Sequence, residues 1–320
     1  MADGTRNMSA RPAVDPSEMD THVDAYDELL RGVRTDQVRF RRVELTPPWT
    51  LPFDAEASLT LVTPLGGEGW IEGDGAPRRI AANETVVVRG PGGLRLSDRP
   101  RGNGAPAPAG PPGPTALLVG TYRVWGQVSR RLLDLLPPVV VVPCQDGCSP
   151  LLDLLNARIA DGRPGRDAVL DRLLDWLLVC VLRGWFDQPA AADVNSPALL
   201  RALSDEAVGP ALRAMHAAPA EPWTLVALAR EAGVSRTTLA GRFTRLVGEP
   251  PLAYLTEWRM ALAADLLTES TAPLASVAQQ VGYADAFSFS TAFKRLHGMS
   301  PSAYRDCVRS PECHAEKQPG

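Results

Sequence analysis

The chain has 320 residues, enough for two domains with sizeable cores. Its net charge is −4 and its pI is about 5.7, so it is not a bulk polycation. No apolar run reaches the ~20 residues that a membrane helix needs, and residues 1–20 lack the hydrophobic centre of a secretory signal. Five cysteines are too few for a disulfide scaffold in a chain of this length. We therefore expect a cytoplasmic protein without a membrane partner.

The N-terminal region has the pattern of a small β-structure. Residues 1–23 have the composition of a disordered arm, and a short helix is predicted after Asp24. Short apolar runs then alternate with Pro, Gly, Asn and Asp, a pattern typical of strands and turns. The runs cover residues 38–45, 59–62, 69–71 and 85–88. Many short strands of this kind predict an antiparallel barrel or jelly roll.

An apolar pocket inside the predicted barrel would suit a small ligand. Four aromatic residues of this region are candidates for its lining, although each would serve equally well as ordinary core: Phe40, Trp49, Phe53 and Trp70.

Residues 98–115 are rich in Pro, Gly and Ala and predict a flexible loop. Strand character resumes at residues 116–122, so the loop interrupts the first domain and does not end it. A short amphipathic helix over residues 129–136 and an extended run over residues 139–142 complete a domain that we place at residues 24–143.

Cys144 and Cys148 lie four positions apart in a loop bounded by proline and glycine. A thiolate in such a loop could react with oxidants, or the pair could close a small disulfide. Zinc would need two further ligands. The pair is thus a candidate thiol switch, and two unreactive loop thiols remain the alternative.

The next helical segments, residues 151–159 and 167–186, carry a broad apolar stripe. One face of the longer segment is expected to pack on the barrel, and another is available to a second copy of the chain. Packing within one chain is the alternative. We place a helical linker and dimerisation region at residues 144–196.

The C-terminal third contains two helical hairpins. Residues 197–218 are predicted to be helical. In the first hairpin Thr224 caps a helix, Gly233 makes the turn and Ser235 caps the next helix. A long helix over residues 251–267 follows. Helix, glycine turn and helix form the helix-turn-helix unit.

The second hairpin repeats this logic with stronger signals. Leu274, Val277, Ala278 and Val281 recur on one helical face, and Gly282 then breaks the helix. Asp285 can cap a second helix, whose apolar side is predicted to carry Phe289, Phe293 and Leu296. His297-Gly298 closes that helix, and Ser300-Pro301 opens another.

The strings V-G-Y, F-S-T-A-F-K-R and G-M-S-P-S-A-Y-R, between Val281 and Arg305, resemble the signature of the AraC/XylS transcription regulators. The segments around Trp49 and at residues 82–90 resemble the cupin-type sensor domain of one AraC subgroup. The resemblance implies an α+β multidomain chain: a cupin-like β-barrel, a helical linker that supports dimerisation, and an all-α module with two helix-turn-helix units.

Metal-binding cupins take histidines from two barrel motifs, and this chain departs from that pattern. None of its four histidines lies in the predicted barrel, and Gly93 stands where the second motif would place one. We therefore predict no metal, no cofactor, no catalytic residues and no cupin oxygenase or isomerase chemistry.

By motif position, each second helix of a hairpin presents a face to the major groove. The predicted base-reading residues are Arg236, Thr237, Thr238, Ala240 and Gly241 in the first unit, and Ala286, Phe287, Ser290 and Thr291 in the second. They are small and carry little charge, so we do not expect a bidentate arginine contact with guanine at the positions of Gly241 and Thr291. Phe287 or the threonine methyl groups could touch thymine methyl groups instead, and packing within the module is the alternative role of Phe287. The candidates for phosphate contact are Arg242, Arg245, Lys294, Arg295 and Arg305.

The sequence thus predicts a cytoplasmic, sequence-specific regulator whose DNA-binding module occupies residues 197–308, before a disordered tail at residues 309–320. Its expected partners are promoter DNA, RNA polymerase, a small-molecule effector and a second copy of the chain. The signal is either an apolar or aromatic ligand or oxidation of the two loop thiols. The alternative is an enzyme, as a cupin catalyst or a DNA-repair protein with a cysteine acceptor.

Overall fold

The computed structural model describes residues 34–53, 57–73, 76–82, 84–90, 94–100, 113–143, 149–159, 165–186, 188 and 198–309. The predicted N-terminal arm, the helix after Asp24 and the tail beyond residue 309 lie outside these ranges. Within them, no helix combines the length and apolar character needed to cross a membrane.

The N-terminal domain is a sandwich of two antiparallel sheets. The first sheet has the order β1-β8-β3-β6-β9 and the second the order β2-β7-β4-β5. The strands are β1 Arg34–Leu45, β2 Thr50–Pro52, β3 Leu59–Gly66, β4 Glu68–Glu72, β5 Arg78–Ala81, β6 Glu84–Arg89, β7 Arg95–Ser97, β8 Thr115–Trp125 and β9 Val139–Pro143. The predicted loop of residues 98–115 connects the two sheets, since it leads from β7 into β8.

Alternation along the strands divides the apolar residues between two faces. One set fills the space between the sheets, where the fully buried Val62, Ile80 and Leu96 meet. The other set, which includes Leu61 and Tyr122, faces away from the second sheet. Because side chains alternate with a period of two, a single strand such as β3 supplies both cores.

Three helices accompany the sandwich: α1 Gln127–Leu135, α2 Ser149–Ile159 and α3 Arg166–Phe186. The broad stripe of α3 packs on the outer face of the first sheet. The buried hydroxyl of Tyr122 donates to the backbone oxygen of Leu174 at 3.0 Å. Gly120 lies beneath this contact, since a Cβ there would be in ordinary van der Waals contact with Leu174, at 3.7 Å, and with the Tyr122 ring, at 3.4 Å.

The prediction of one continuous helical segment over residues 197–218 is wrong, because the helix is interrupted. The structure has two helices, α4 Ala198–Leu203 and α5 Val208–Ala217. Asp205 lies between them, and its Oδ1 accepts from the amides of Ala207 and Val208 at the start of α5, at 2.9 and 3.0 Å. Gly209 allows the close crossing, since a Cβ there would lie 2.4 Å from the Leu203 oxygen.

The remaining helices form the two predicted hairpins and the helix between them: α6 Leu225–Glu231, α7 Arg236–Val247, α8 Pro251–Glu269, α9 Leu274–Gln280, α10 Ala286–His297 and α11 Pro301–Arg309. The expected caps form at Thr224, Ser235 and Asp285. Gly233 and Gly282 have φ values of 65° and 81°, the left-handed conformation that each turn requires. Leu296, expected on the buried side of α10, is instead 41% exposed.

The long helix α8 takes part in two separate apolar cores. Tyr254 and Trp258 belong to the core that also contains α3, α5, α7 and the outer face of the first sheet. Met260, Ala264 and Leu267 belong to a smaller core formed with α9, α10 and α11. The first hairpin therefore shares its core with the N-terminal domain, whereas the second has a core of its own.

Candidate nucleic-acid interface

The second helix of the first hairpin, α7, exposes the side that the sequence assigned to base reading. Arg236, Thr237, Thr238 and Gly241 are exposed, and Ala240 is half-buried. The opposite side is anchored by Leu239 and Phe243, which are fully buried. The Thr238 hydroxyl lies 2.8 Å from the Ser235 hydroxyl, so it helps to fix the start of the helix.

In the second hairpin, α10 begins at the carboxylate of Asp285. This group accepts from the amides of Phe287 and Ser288 at 2.9 and 2.8 Å, and from the Ser288 hydroxyl at 2.6 Å. The Ser288 hydroxyl and then its amide lower the pKa of Asp285 below its ordinary value, so the cap is ionised at neutral pH.

Phe287, which directly follows the start of α10, is the most exposed large apolar residue of the described chain, at 83%. Thr291 lies one turn later, is exposed, and donates its hydroxyl to the Phe287 oxygen at 3.0 Å. Ala286 and Ser290 are half-buried. Ser288, which the sequence analysis did not select, is exposed beside them. Phe287 and Thr291 thus place a phenyl ring and a methyl group on the exposed face at the N-terminal end of α10.

The five candidate phosphate contacts divide into two groups. Arg242 binds Asp205 at 2.7 Å, and Arg305 donates to the Ala272 oxygen at 2.7 Å, so both guanidinium groups already hold the module together. Although burial raises the pKa of Asp205, the amides of Val208 and Ala207 and the charge of Arg242 together lower it. Arg245, Lys294 and Arg295 are exposed at the C-terminal halves of α7 and α10.

Arg259 of α8, which the sequence gave no reason to select, links the two hairpins. Its guanidinium donates to the Pro219 and Glu221 oxygens, each at 2.7 Å, and lies 6.0 Å from the centre of the Tyr283 ring. The oxygens belong to the segment before the first hairpin, and Tyr283 belongs to the turn of the second. The link thus fixes one hairpin relative to the other.

A second contact outside the predictions joins the module to the N-terminal domain. The Asp265 carboxylate of α8 accepts from the amides of Gln127 and Val128 at 2.6 and 3.2 Å and so caps α1 from outside. Gly126 has a φ of 91°, and a Cβ there would lie 2.9 Å from the carboxylate. One turn away, Arg131 donates to Glu257 at 3.0 Å.

Two of the four residues predicted to line the ligand pocket lie at a cavity in the structure. A cavity of about 260 Å³ includes Phe40 and Phe53 in its lining. Trp49 and Trp70 are buried and do not line it. Among the residues that the structure describes, neither indole N–H group has a hydrogen-bond partner. Cys144 and Cys148 fall outside the described residues, and the ranges that are described contain no cluster of three metal-binding side chains.

Comparison with known proteins agrees with this two-part architecture. Residues 24–187 match a family model described as Cupin, and residues 228–306 match one described as Helix-turn-helix domain. A protein of Streptomyces antibioticus described as an AraC-like transcription regulator is 34% identical over 301 residues, covering 88% of this chain and 98% of its own.

Two further relatives cover smaller parts of the chain. An Escherichia coli protein described as an RCS-specific HTH-type transcriptional activator is 29% identical over 61% of this chain and 69% of its own. The crystal structure of an AraC-type transcriptional regulator from Chromobacterium violaceum has 25% identity and a TM-score of 0.32, with 34% of this chain and 96% of that chain covered.

The matches extend through both domains, and the helical region has the two hairpins that the signature implied. A cupin domain in front of an AraC-type helix-turn-helix module indicates a regulator of transcription and makes an enzyme the weaker interpretation. With 34% identity over nearly the full length of a regulator, the chain belongs to the AraC-like transcription regulators.

Proposed function

We propose that α7 and α10 read adjacent segments of one promoter duplex, and that the N-terminal domain controls this binding. The observation that carries the proposal is the pair of capped helices, each with a buried apolar side and an exposed N-terminal face. Phe287 and the threonines of both helices offer methyl and phenyl contacts to base edges. RNA polymerase is the further partner that we propose. Because bacterial promoters and RNA polymerase are found in the cytoplasm, we propose that the protein acts there.

Arg245, Lys294 and Arg295 are proposed to contact phosphates, because they are exposed and lie on the two recognition helices. Replacing Arg245 or Lys294 by glutamine should weaken binding to all sequences alike. It should also reduce the slope of log affinity against log salt concentration by about 1. Fluorescence anisotropy with a duplex from the gene's own upstream region and a random duplex, each at several salt concentrations, measures both quantities.

Arg78→Gln is the matched control, because Arg78 is exposed on β5, away from the two reading helices, and its loss changes the net charge by the same amount. Its salt slope should equal that of the parent. Equal affinity of the parent for the upstream and the random duplex at every salt concentration would count against sequence-specific binding.

We also propose that the chain acts as a homodimer through α3. Val169 and Trp176 are 49% and 56% exposed on the side of α3 away from the sheet. The two residues are seven positions apart and therefore share one face of the helix. A second copy would cover this apolar face and would bring two reading modules to one DNA site.

The signal is proposed to enter the N-terminal domain through a ligand in its pocket or through oxidation of Cys144 and Cys148. It would reach the DNA through Asp265, since α8 carries both hairpins and its carboxylate caps α1. By linkage, if DNA binding favours one state of the α1–α8 contact, a change that favours the same state must strengthen DNA binding by the same factor.

Asp265→Ala should increase hydrogen exchange at the amides of Gln127 and Val128 about fivefold, because the loss of a cap typically costs about 1 kcal/mol. Exchange followed by mass spectrometry, with and without the promoter duplex, measures the effect. In the parent, DNA should change the exchange of these amides.

The control is Asp285→Ala, which removes a cap of similar geometry inside the DNA-binding module. It should leave the α1 amides unchanged in the free protein. If exchange at Gln127 and Val128 in the parent is the same with and without the promoter duplex, the α1–α8 contact does not transmit the signal.

A further inference from the structure

The inner face of the edge strand β1 is apolar at its C-terminal end and carries arginines nearer its N-terminal end. Val43 and Leu45 pack against the core between the two sheets. Arg41 and Arg39 follow on the same face, because they pair in register with Val119 and Thr121 of β8. Val119 belongs to that core. Two arginines therefore occupy positions where the strand pattern requires inward-facing side chains.

These arginines lie at the cavity of about 260 Å³. Its apolar wall contains Leu51, Phe53 and Val119, and Thr60 and Thr121 add hydroxyl groups. The cavity is slightly smaller than typical sites for drug-sized ligands, which begin at about 300 Å³. It therefore suits a small molecule with one or two rings.

The charges of Arg39 and Arg41 are uncompensated. Both side chains are exposed, and the described part of the chain gives neither guanidinium an ion-pair or hydrogen-bond partner. Arg42, the next residue along the strand, differs: it points to the other face and donates to Glu44 at 2.8 Å. Guanidinium groups bind carboxylates through strong, charge-assisted hydrogen bonds.

We propose that this cavity binds a small organic anion with an apolar or aromatic body. Leu51, Phe53 and Val119 contact the body, and Arg39 and Arg41 hold the anionic group at the rim. A regulatory role for the bound anion rests on the function proposed above, whereas its binding does not. The alternative role of the two arginines is to prevent edge-to-edge pairing of β1 with another chain, a known use of inward-pointing charges on edge strands.

The test uses 2-naphthoate, which is fluorescent and anionic, and 2-naphthamide, which has nearly the same shape without the charge. Each is titrated into the full-length protein at fixed ionic strength and neutral pH. We expect saturable binding of one naphthoate per chain and at least tenfold weaker binding of naphthamide. Arg39→Gln and Arg41→Gln should each weaken naphthoate binding about tenfold and leave naphthamide binding unchanged.

Arg42→Gln is the control, since it removes the same charge from the same strand outside the cavity lining. It should bind naphthoate as the parent does. Equal binding of the two probes, equal loss in all three variants, or no saturable naphthoate binding would overturn the proposal and leave edge protection as the role of the arginines.

Promoter binding is measured in the same samples. Intact promoter binding without selective naphthoate binding overturns the anion site alone. Selective naphthoate binding that leaves promoter affinity unchanged upholds the anion site and counts against its role in control.

Discussion

Replacing Phe289 by alanine is expected to lower the free energy of unfolding by about 3–5 kcal/mol. Phe289 is fully buried in the small core of the second hairpin, where its ring lies 5.7 Å from that of Phe293 and 5.9 Å from that of Tyr283. Among the described residues, this core shares no buried residue with the N-terminal domain, so only the second hairpin and its part of α8 can relax to fill the cavity. Chemical denaturation followed by circular dichroism measures the loss.

Phe287→Ala is the matched variant on the same helix, two residues earlier. Because Phe287 is 83% exposed, its truncation should change the free energy of unfolding by no more than about 0.5 kcal/mol. It should instead weaken binding to the promoter duplex about tenfold, with an unchanged salt slope, since the lost contact is apolar. A Phe287→Ala protein that is destabilised as much as Phe289→Ala, or that binds the promoter as the parent does, would contradict this division of roles.

Acidification from pH 6.5 to pH 5 is expected to destabilise the folded protein by about 1.7 kcal/mol through His216 alone. His216 is buried on α5, its Nε2 lies 2.7 Å from the Tyr254 hydroxyl, and its ring lies 4.2 Å from that of Trp258. Burial, and then the charge of Arg131 on α1, lower its pKa from 6.5 to about 3.

The sign follows from the two protonation states. Below pH 6.5 the unfolded chain binds a proton at His216 that the folded chain does not bind, so stability falls with pH until about pH 3. Glu249 acts in the opposite direction, because burial and then the charge of Glu257 raise its pKa. The lowered pKa of Asp205 stabilises the fold at neutral pH, and this stabilisation is lost only when the pH falls below the ordinary pKa of a carboxyl, so it does not affect the range from pH 6.5 to pH 5.

Comparison with His216→Gln isolates the contribution of His216, because the other groups are retained. The variant should lose stability at pH 7 and show a flatter dependence on pH between 6.5 and 5. Tyr254→Phe keeps the buried imidazole and should retain the slope of the parent. Equal slopes in the parent and in His216→Gln would show that His216 does not govern the acid response.

The features that the sequence predicted well are local. Thr224, Ser235 and Asp285 cap helices because their side chains reach amides two or three residues ahead, and Gly282 makes a turn by its own conformation. Such features depend on a few neighbouring residues, so a spacing pattern is enough to identify them. The strand runs between Val38 and Val142 are predictable for the same reason.

The features that the sequence missed depend on distant partners. Asp265 caps a helix that begins 138 residues earlier, and Arg242 binds Asp205 across 37 residues. Nothing near Arg242 distinguishes it from Arg245, which stays exposed. Likewise, Trp49 and Trp70 are aromatic, as residues that line ligand pockets often are. Only the packing of the strands shows that they are buried away from the cavity.

The division of α8 between two cores bears on how such regulators can be recombined. A hybrid chain joined within residues 188–196 would separate the first hairpin from the sheet and α3, with which it shares one apolar core. Foreign side chains would then face Tyr254 and Trp258. A junction near the middle of α8 would instead exchange the second hairpin together with its own core. The second hairpin can therefore be exchanged together with its own core, whereas the first hairpin depends on packing against the N-terminal domain.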